Sequence, residues 1–170
     1  MLDMILATHN RGKMREIQAL LADMPIEVRC LDDVDADFTV VEDGETFAQN
    51  AVKKAEAVAA RFQCAALADD SGLCVDALGG RPGVYSARFA GEDASDGDNN
   101  QKLLAMLKDT NDRTARFVCA MALAVPGRAT ETVEGVCEGR IGAQLCGDGG
   151  FGYDPLFVPE GYEETFARLG

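Results

Sequence analysis

Apolar positions along the chain follow two patterns. Short continuous runs suit buried strands, and stripes recurring every three to four residues suit amphipathic helices. Met4 to Thr8 is the first continuous run and predicts a buried strand, followed by a polar turn at His9-Asn10-Arg11-Gly12-Lys13. Met14, Ile17, Leu20 and Leu21 then recur at helical spacing in a segment closed by Pro25. Ile26 to Leu31 predicts a second strand, and the acidic stretch Asp32 to Asp37 a solvated connection. From Thr46 the pattern is helical again. Thr46 and Gln49 stand at capping-box spacing, and Phe47, Ala51, Ala55, Val58 and Phe62 form one stripe. Ala65 to Ala68 predicts a strand that ends in Asp69 and Asp70 at a Ser71-Gly72 turn, with Leu73-Cys74-Val75 as a separate short strand.

The segment from Gly79 to Phe89 is too rich in glycine and proline for regular structure and reads as a loop. Ser95 with Asp98 marks a helix start, and Leu103, Leu104 and Leu107 supply that helix with an apolar face. Ala115 to Val125 and Thr130 to Glu138 predict an antiparallel hairpin across Pro126-Gly127-Arg128. Gly147 to Pro155 is the most glycine-dense stretch, where backbone can approach a ligand and Phe151 and Tyr153 offer flat faces for stacking. A short strand over Leu156 to Val158 and a helix start at Glu163 to Leu169 complete the pattern.

Composition narrows the function. Within 170 residues, 47% hydrophobic and 26% charged residues fit a globular chain long enough to bury a substantial core. No basic leader and no apolar run of membrane-spanning length is visible, so a cytoplasmic protein is expected. A formal net charge of -13 argues against DNA or RNA as the main partner, while a small anion remains compatible given a local cationic patch or a bound metal. Six cysteines without a Cys-x-x-Cys pair read as free thiols in a reducing compartment. With His9 as the only histidine, a histidine-rich zinc site is improbable.

Three stretches bear chemistry. The strand-turn-helix with Thr8, Asn10 and Lys13 places hydroxyl, amide, ammonium and helix N-terminal groups together, which suits a phosphate, although it is not a Walker loop. Two adjacent carboxylates at the end of a strand, Asp69 and Asp70, either solvate a loop or serve a metal ion or a proton. Glu42 with Asp69 or Asp70 can share a hard cation such as Mg²⁺ whose open side takes phosphate oxygens, and a neighbouring carboxylate can accept a proton from water. Neighbouring side chains on a strand point to opposite faces, so Asp69 and Asp70 are expected to do different jobs.

The sequence resembles the inosine triphosphate pyrophosphatase family along essentially its whole length. The resemblance rests on five motifs in order: Thr8-x-Asn10-x-x-Lys13; Glu42-x-Gly44-x-Thr46-Phe47 with Asn50-Ala51 and Lys54; Ala68-Asp69-Asp70-Ser71-Gly72-Leu73; Pro82 to Arg88; and Gly149 to Pro155. It implies an α/β fold, a long mixed β-sheet flanked by helices in a single two-lobed domain over 1–170 with a central cleft, usually homodimeric. It also implies Mg²⁺-dependent hydrolysis of noncanonical purine nucleoside triphosphates (ITP, dITP, XTP) to the monophosphate and pyrophosphate. By the same resemblance, Thr8, His9, Asn10, Arg11, Gly12 and Lys13 cradle the phosphates with Lys54. Glu42 and Asp70 hold Mg²⁺ beside Asp69, Asp70 is the proton acceptor, Ser71 touches the substrate, and Phe151, Gly152, Tyr153 and Asp154 form the base-binding side.

Two departures from the family pattern stand out. His9 occupies a position where relatives often carry glycine, with a local change expected. Relatives also continue into a basic segment with a Ser-His-Arg motif that reads the 6-oxo purine, whereas this sequence stops at Gly170. Either the sequence is shorter than the gene product, or purine selectivity has lost part of its equipment. Selectivity itself follows from the acceptor oxygen that inosine and xanthine carry where adenine carries an amino donor. A mispaired buried polar group costs about 1–3 kcal/mol. Alternative readings are a modified-pyrimidine pyrophosphatase of the Maf type, which opens instead with a Ser-rich, Arg-containing loop, and a nucleotide sensor without catalysis.

Overall fold

The computed structural model describes residues 2–9 and 11–169. Its six-stranded mixed sheet has the order β2-β1-β3-β4-β5-β6 and is flanked by helices. The elements are β1 (Leu2–Leu6), α1 (Arg11–Leu21), β2 (Ile26–Cys30), α2 (Leu31–Asp35), α3 (Phe47–Phe62), β3 (Ala65–Val75), α4 (Asp96–Met106), β4 (Thr114–Ala124), β5 (Glu131–Ile141), β6 (Phe157–Pro159) and α5 (Phe166–Leu169). β1 runs parallel to both neighbours, with Met4 opposite Val28 and Ala65, whereas β5 and β6 are antiparallel, with Ile141 opposite Phe157. The connection between the neighbouring strands β4 and β5 is too short for a parallel crossover, which makes them the predicted hairpin. No described helix is long and apolar enough to cross a membrane.

Several elements differ from the sequence reading. The acidic stretch after β2 is not wholly a solvated connection. Leu31 is buried at 3% exposure and starts the short helix α2, whose first turn places Asp32 and Asp33 at the end that favours negative charge. Residues 83–88 form a 3₁₀ helix inside the expected loop. β3 does not stop at Ala68. It continues through Asp69, Asp70, Ser71 and Gly72 to Val75, so the two predicted strands are one and no turn follows the aspartates. In α1 the buried positions are Met14 and Ile17, while Leu20 is 78% exposed.

The chain divides into two compact units. One comprises Met1–Asp70 and Cys119–Glu134, the other Ser71–Val118 and Gly135–Gly170. In the first, Met4, Leu6, Ile17 and Ala65 form a core, supported by Ile26, Val28 and Met121 among others. In the second, Leu73, Val75, Leu103, Leu107, Ile141 and Phe157 lie in the core, with Phe117, Phe157 and Phe166 in mutual ring contact. Here Arg113 donates to the carbonyls of Leu107, Ile141 and Gly142 at 2.9, 2.9 and 2.8 Å. A Cβ at Gly139 would stand 2.3 Å from the Val158 carbonyl oxygen, so the tight β5–β6 pairing requires glycine there.

Candidate active site

In the first unit, β3 presents Asp69 and Asp70 to different partners. Asp69 is 5% exposed, and its Oδ2 lies 3.1 Å from Nζ of Lys13 in the first turn of α1. Its Oδ1 is buried with no hydrogen-bond partner among the described residues. Asp70 is half-buried, and its Oδ2 accepts from Nδ2 of Asn50 on α3 at 3.1 Å. Adjacent strand residues face opposite ways, and here a different helix meets each carboxylate.

The Asp70 carboxyl is electrostatically perturbed. Burial pushes the Asp70 carboxyl up from 3.8 to about 6. The Lys54 charge and the Asn50 hydrogen bond oppose that rise, the Glu42 charge adds to it, and Lys13 lowers it again. Glu42 and Lys54 are joined at 2.8 Å. Lys54 and Lys53 are thereby distinguished: the Lys54 side chain is 15% exposed and belongs to this cluster, whereas Lys53 is 41% exposed and pairs with Asp43.

Asn50, in the sequence no more than one member of a motif, organises this corner. It is 1% exposed, and besides holding Asp70 its Oδ1 accepts from the Gly44 amide at 2.8 Å. A Cβ on Gly44 would lie 2.7 Å from that oxygen and 2.9 Å from Cβ of Gln49. The α3 N-terminus is closed by Thr46, which accepts from the Gln49 amide at 3.1 Å, while the Gln49 side chain accepts from the Glu45 amide at 2.8 Å. The visible signal for Asn50 was a polar residue on the apolar side of the stripe, three residues after Phe47 and adjacent to Ala51.

The phosphate-cradle residues are placed as follows. Thr8 follows β1 and is half-buried, and Arg11, Gly12 and Lys13 open α1. Asn10 lies outside the described residues. His9 is engaged by the protein itself: Nδ1 meets the Asp32 carboxylate and Nε2 meets the Phe38 carbonyl oxygen at 2.6 Å. Neither partner can donate, so both ring nitrogens carry protons, and the Asp32 bond raises the His9 pKa above 6.5. Both ring nitrogens of His9 thus tie its loop to Asp32 and Phe38.

In the second unit, Ser71 is half-buried within β3. The glycine-dense loop is held by its own chain: Asp154 Oδ2 accepts from the Phe151 amide at 3.0 Å. Gly150 has φ +69, and a Cβ there would fall 2.0 Å from the same carboxylate oxygen, so only glycine fits. Tyr153 is not the open stacking face expected from the sequence. It is 5% exposed, packed in the core, and its hydroxyl donates to the Ser86 carbonyl at 2.6 Å. Burial raises its pKa further from the neutral range. Phe151, in contrast, is half-buried.

The donor set on the first unit is all hard oxygen. No group of three or more His, Cys, Asp and Glu side chains able to hold a metal is assembled among the described residues. Glu42 and Asp70 still fit Mg²⁺, which is commonly bound through one or two carboxylates with waters and substrate phosphates completing its octahedron, whereas Asp69 is turned to Lys13. They do not fit a soft or histidine-bound metal.

Comparison with known proteins places the whole chain among relatives. The Ham1 family model matches residues 4–170. The chain is 53% identical over 166 residues to a dITP/XTP pyrophosphatase of Syntrophobacter fumaroxidans, covering 98% of this chain and 72% of that protein. It is 52% identical over 171 residues to a dITP/XTP pyrophosphatase of Geobacillus kaustophilus, covering 99% and 84%. Among solved structures, a HAM1 protein from Coxiella burnetii is similar at TM-score 0.91 and 40% identity, covering 100% of this chain and 88% of that one. The Ham1 protein of Staphylococcus aureus is similar at TM-score 0.88 and 40% identity, covering 99% and 86%. With residues 4–170 matched by the family model and the fold matched at TM-score 0.91, the chain belongs to the Ham1 family.

Proposed function

We propose that the chain is a hydrolase of noncanonical purine nucleoside triphosphates such as dITP, XTP and ITP, releasing the nucleoside monophosphate and pyrophosphate. The observation that carries the reading is Asp70, a carboxyl raised to about 6 and flanked by Glu42, Lys54, Lys13 and Asn50.

Asp70 then accepts the proton of the attacking water, and Asn50 fixes the orientation of its carboxylate. Lys13, Lys54 and the N-terminal amides of α1 supply positive charge to the triphosphate oxygens. Lys13 is at the same time paired with the buried Asp69 carboxylate at 3.1 Å. Glu42 and Asp70 would hold Mg²⁺. Bound there, the ion would supply Lewis-acid polarisation of the phosphoryl oxygens. In the second unit, Phe151 offers a stacking face to the purine. The same reading makes the protein a homodimer working in the cytoplasm, where nucleotide pools are.

The test is incubation with dITP and Mg²⁺, with chromatographic separation of products. dIMP and pyrophosphate are expected, abolished by EDTA and by Asp70→Asn. Activity of Asp70→Asn near that of the wild type removes Asp70 as the base.

A further inference from the structure

The loop that carries Phe151 is gripped from α4 by two residues. The Gly152 amide donates to Asp96 Oδ2 at 2.9 Å, and the Gly152 carbonyl accepts from Asn100 Nδ2 at 3.0 Å. Asp96 and Asn100 stand four residues apart, so both project from one face of the helix. Gly152 itself sits at φ +60 and brings no side chain to hold its conformation. The neighbouring Asn99 performs the equivalent task on the 3₁₀ segment, donating to Ala87 O at 3.1 Å and accepting from the Ala90 amide at 2.8 Å. The Tyr153 hydroxyl joins the loop to that same segment through Ser86.

Helix stability does not explain these residues. The α4 N-terminus is already closed by the reciprocal Ser95 and Asp98 bonds, which leaves Asp96 unneeded as a cap. Asn99 and Asn100 are both 3% exposed, where two apolar residues would cost less to bury and would suit a helix better. Asn100 even leaves its Oδ1 without a hydrogen-bond partner among the described residues. Its donor toward Gly152 is what it contributes.

We propose that Asp96 and Asn100 are positioning residues for recognition of the nucleotide base: by fixing both sides of Gly152 they set the placement of Phe151. The proposal rests on the reading of Phe151 to Asp154 as the base-contacting loop. It separates their effect from the phosphate chemistry of Asp70, Lys13 and Lys54.

Steady-state kinetics with dITP, alongside inhibition by magnesium tripolyphosphate as a base-free probe, test this. Asn100→Asp is nearly isosteric but sets a carboxylate against the Gly152 carbonyl. It is expected to raise KM for dITP about tenfold, about 1.4 kcal/mol, with kcat within about threefold and tripolyphosphate inhibition unchanged. Asp96→Asn keeps an acceptor for the Gly152 amide and is expected to behave as the wild type, while Asp96→Ala, at an exposed position, raises KM in the same selective way. Should Asn100→Asp fail to fold, Asp96→Ala carries the test alone. A KM within twofold of wild type in the folded variants, or a parallel loss of tripolyphosphate binding, overturns the proposal. Phe151→Ala separates the two layers. If it leaves KM unchanged, the base-contacting reading falls and the proposal with it; if it raises KM while the α4 variants do not, the positioning claim alone falls.

Discussion

Replacing Asp70 by asparagine removes a charge that the fold holds at a cost, so the variant should lose activity and gain stability. Burial raises the folded-state pKa from 3.8 to about 6, so the native state binds the proton more tightly than the unfolded chain does. Below pH 3.8 both states are protonated and the group contributes nothing. As pH rises from 3.8 to 6 the unfolded chain ionises first, stability falls, and above 6 the full penalty remains. At about 1.36 kcal/mol per pH unit the ceiling is about 3 kcal/mol. Solvent access to this half-buried carboxylate reduces that to about 1–2 kcal/mol.

Asparagine keeps an oxygen to accept from Asn50 Nδ2, so the hydrogen bond survives the substitution. For a chain of this length the gain corresponds to about 2–8 °C in Tm. The assay is thermal unfolding of both proteins in EDTA, from pH 4 to pH 8. The Tm difference should be near zero at pH 4, grow to pH 6 and stay level above pH 7. A variant no more stable than the wild type at pH 8 would refute the claim that burial dominates the environment of Asp70.

Three further substitutions probe other parts of the account. Gly44→Ala puts a Cβ 2.7 Å from Asn50 Oδ1, so Asn50 must shift and release Asp70. A kcat loss of about tenfold is expected, from about 1–3 kcal/mol per disrupted buried hydrogen bond, and unchanged turnover of dITP would remove Asn50 as an orienting group. His9→Ala should lower Tm more at pH 6 than at pH 9, because a raised histidine pKa contributes stability at low pH that is lost as pH rises through it. Equal losses at both pH values would show that the ring is not charged in its contacts with Asp32 and Phe38. Arg113→Lys cannot reach the carbonyls of Leu107, Ile141 and Gly142 together and should cost about 2–3 kcal/mol in thermal or denaturant unfolding. Wild-type stability would contradict that role.

The elements were legible where one pattern acted alone. The stripe from Phe47 to Phe62, closed by Thr46, is α3, and the Ser95 and Asp98 pair opens α4. The reading failed where two preferences competed. Asp69, Asp70, Ser71 and Gly72 look like a turn by local chemistry, but pairing within the sheet carries β3 straight through them. Asp32, Asp33 and Asp35 look like a solvated loop, but Leu31 needs a core and anchors a helical turn. Within the site, Lys13, Glu42, Lys54 and the two aspartates were visible as types at motif positions, and the first unit brings them together. Tyr153 was misread because an aromatic ring in a glycine-rich loop gives no hint that its hydroxyl has a buried carbonyl to satisfy. Asn100 escaped notice for the opposite reason. Its partner is a backbone carbonyl 52 residues away, and a carbonyl leaves no mark on the sequence.

The central claim is that Asp70 serves a water that cleaves the nucleoside monophosphate from pyrophosphate. The most direct measurement is phosphorus NMR of dITP turned over by the wild-type protein and by Asp70→Asn in Mg²⁺. dIMP and pyrophosphate are expected as the only products of the wild type, with no turnover by the variant. Formation of dIDP and orthophosphate, or equal product from both proteins, would contradict it.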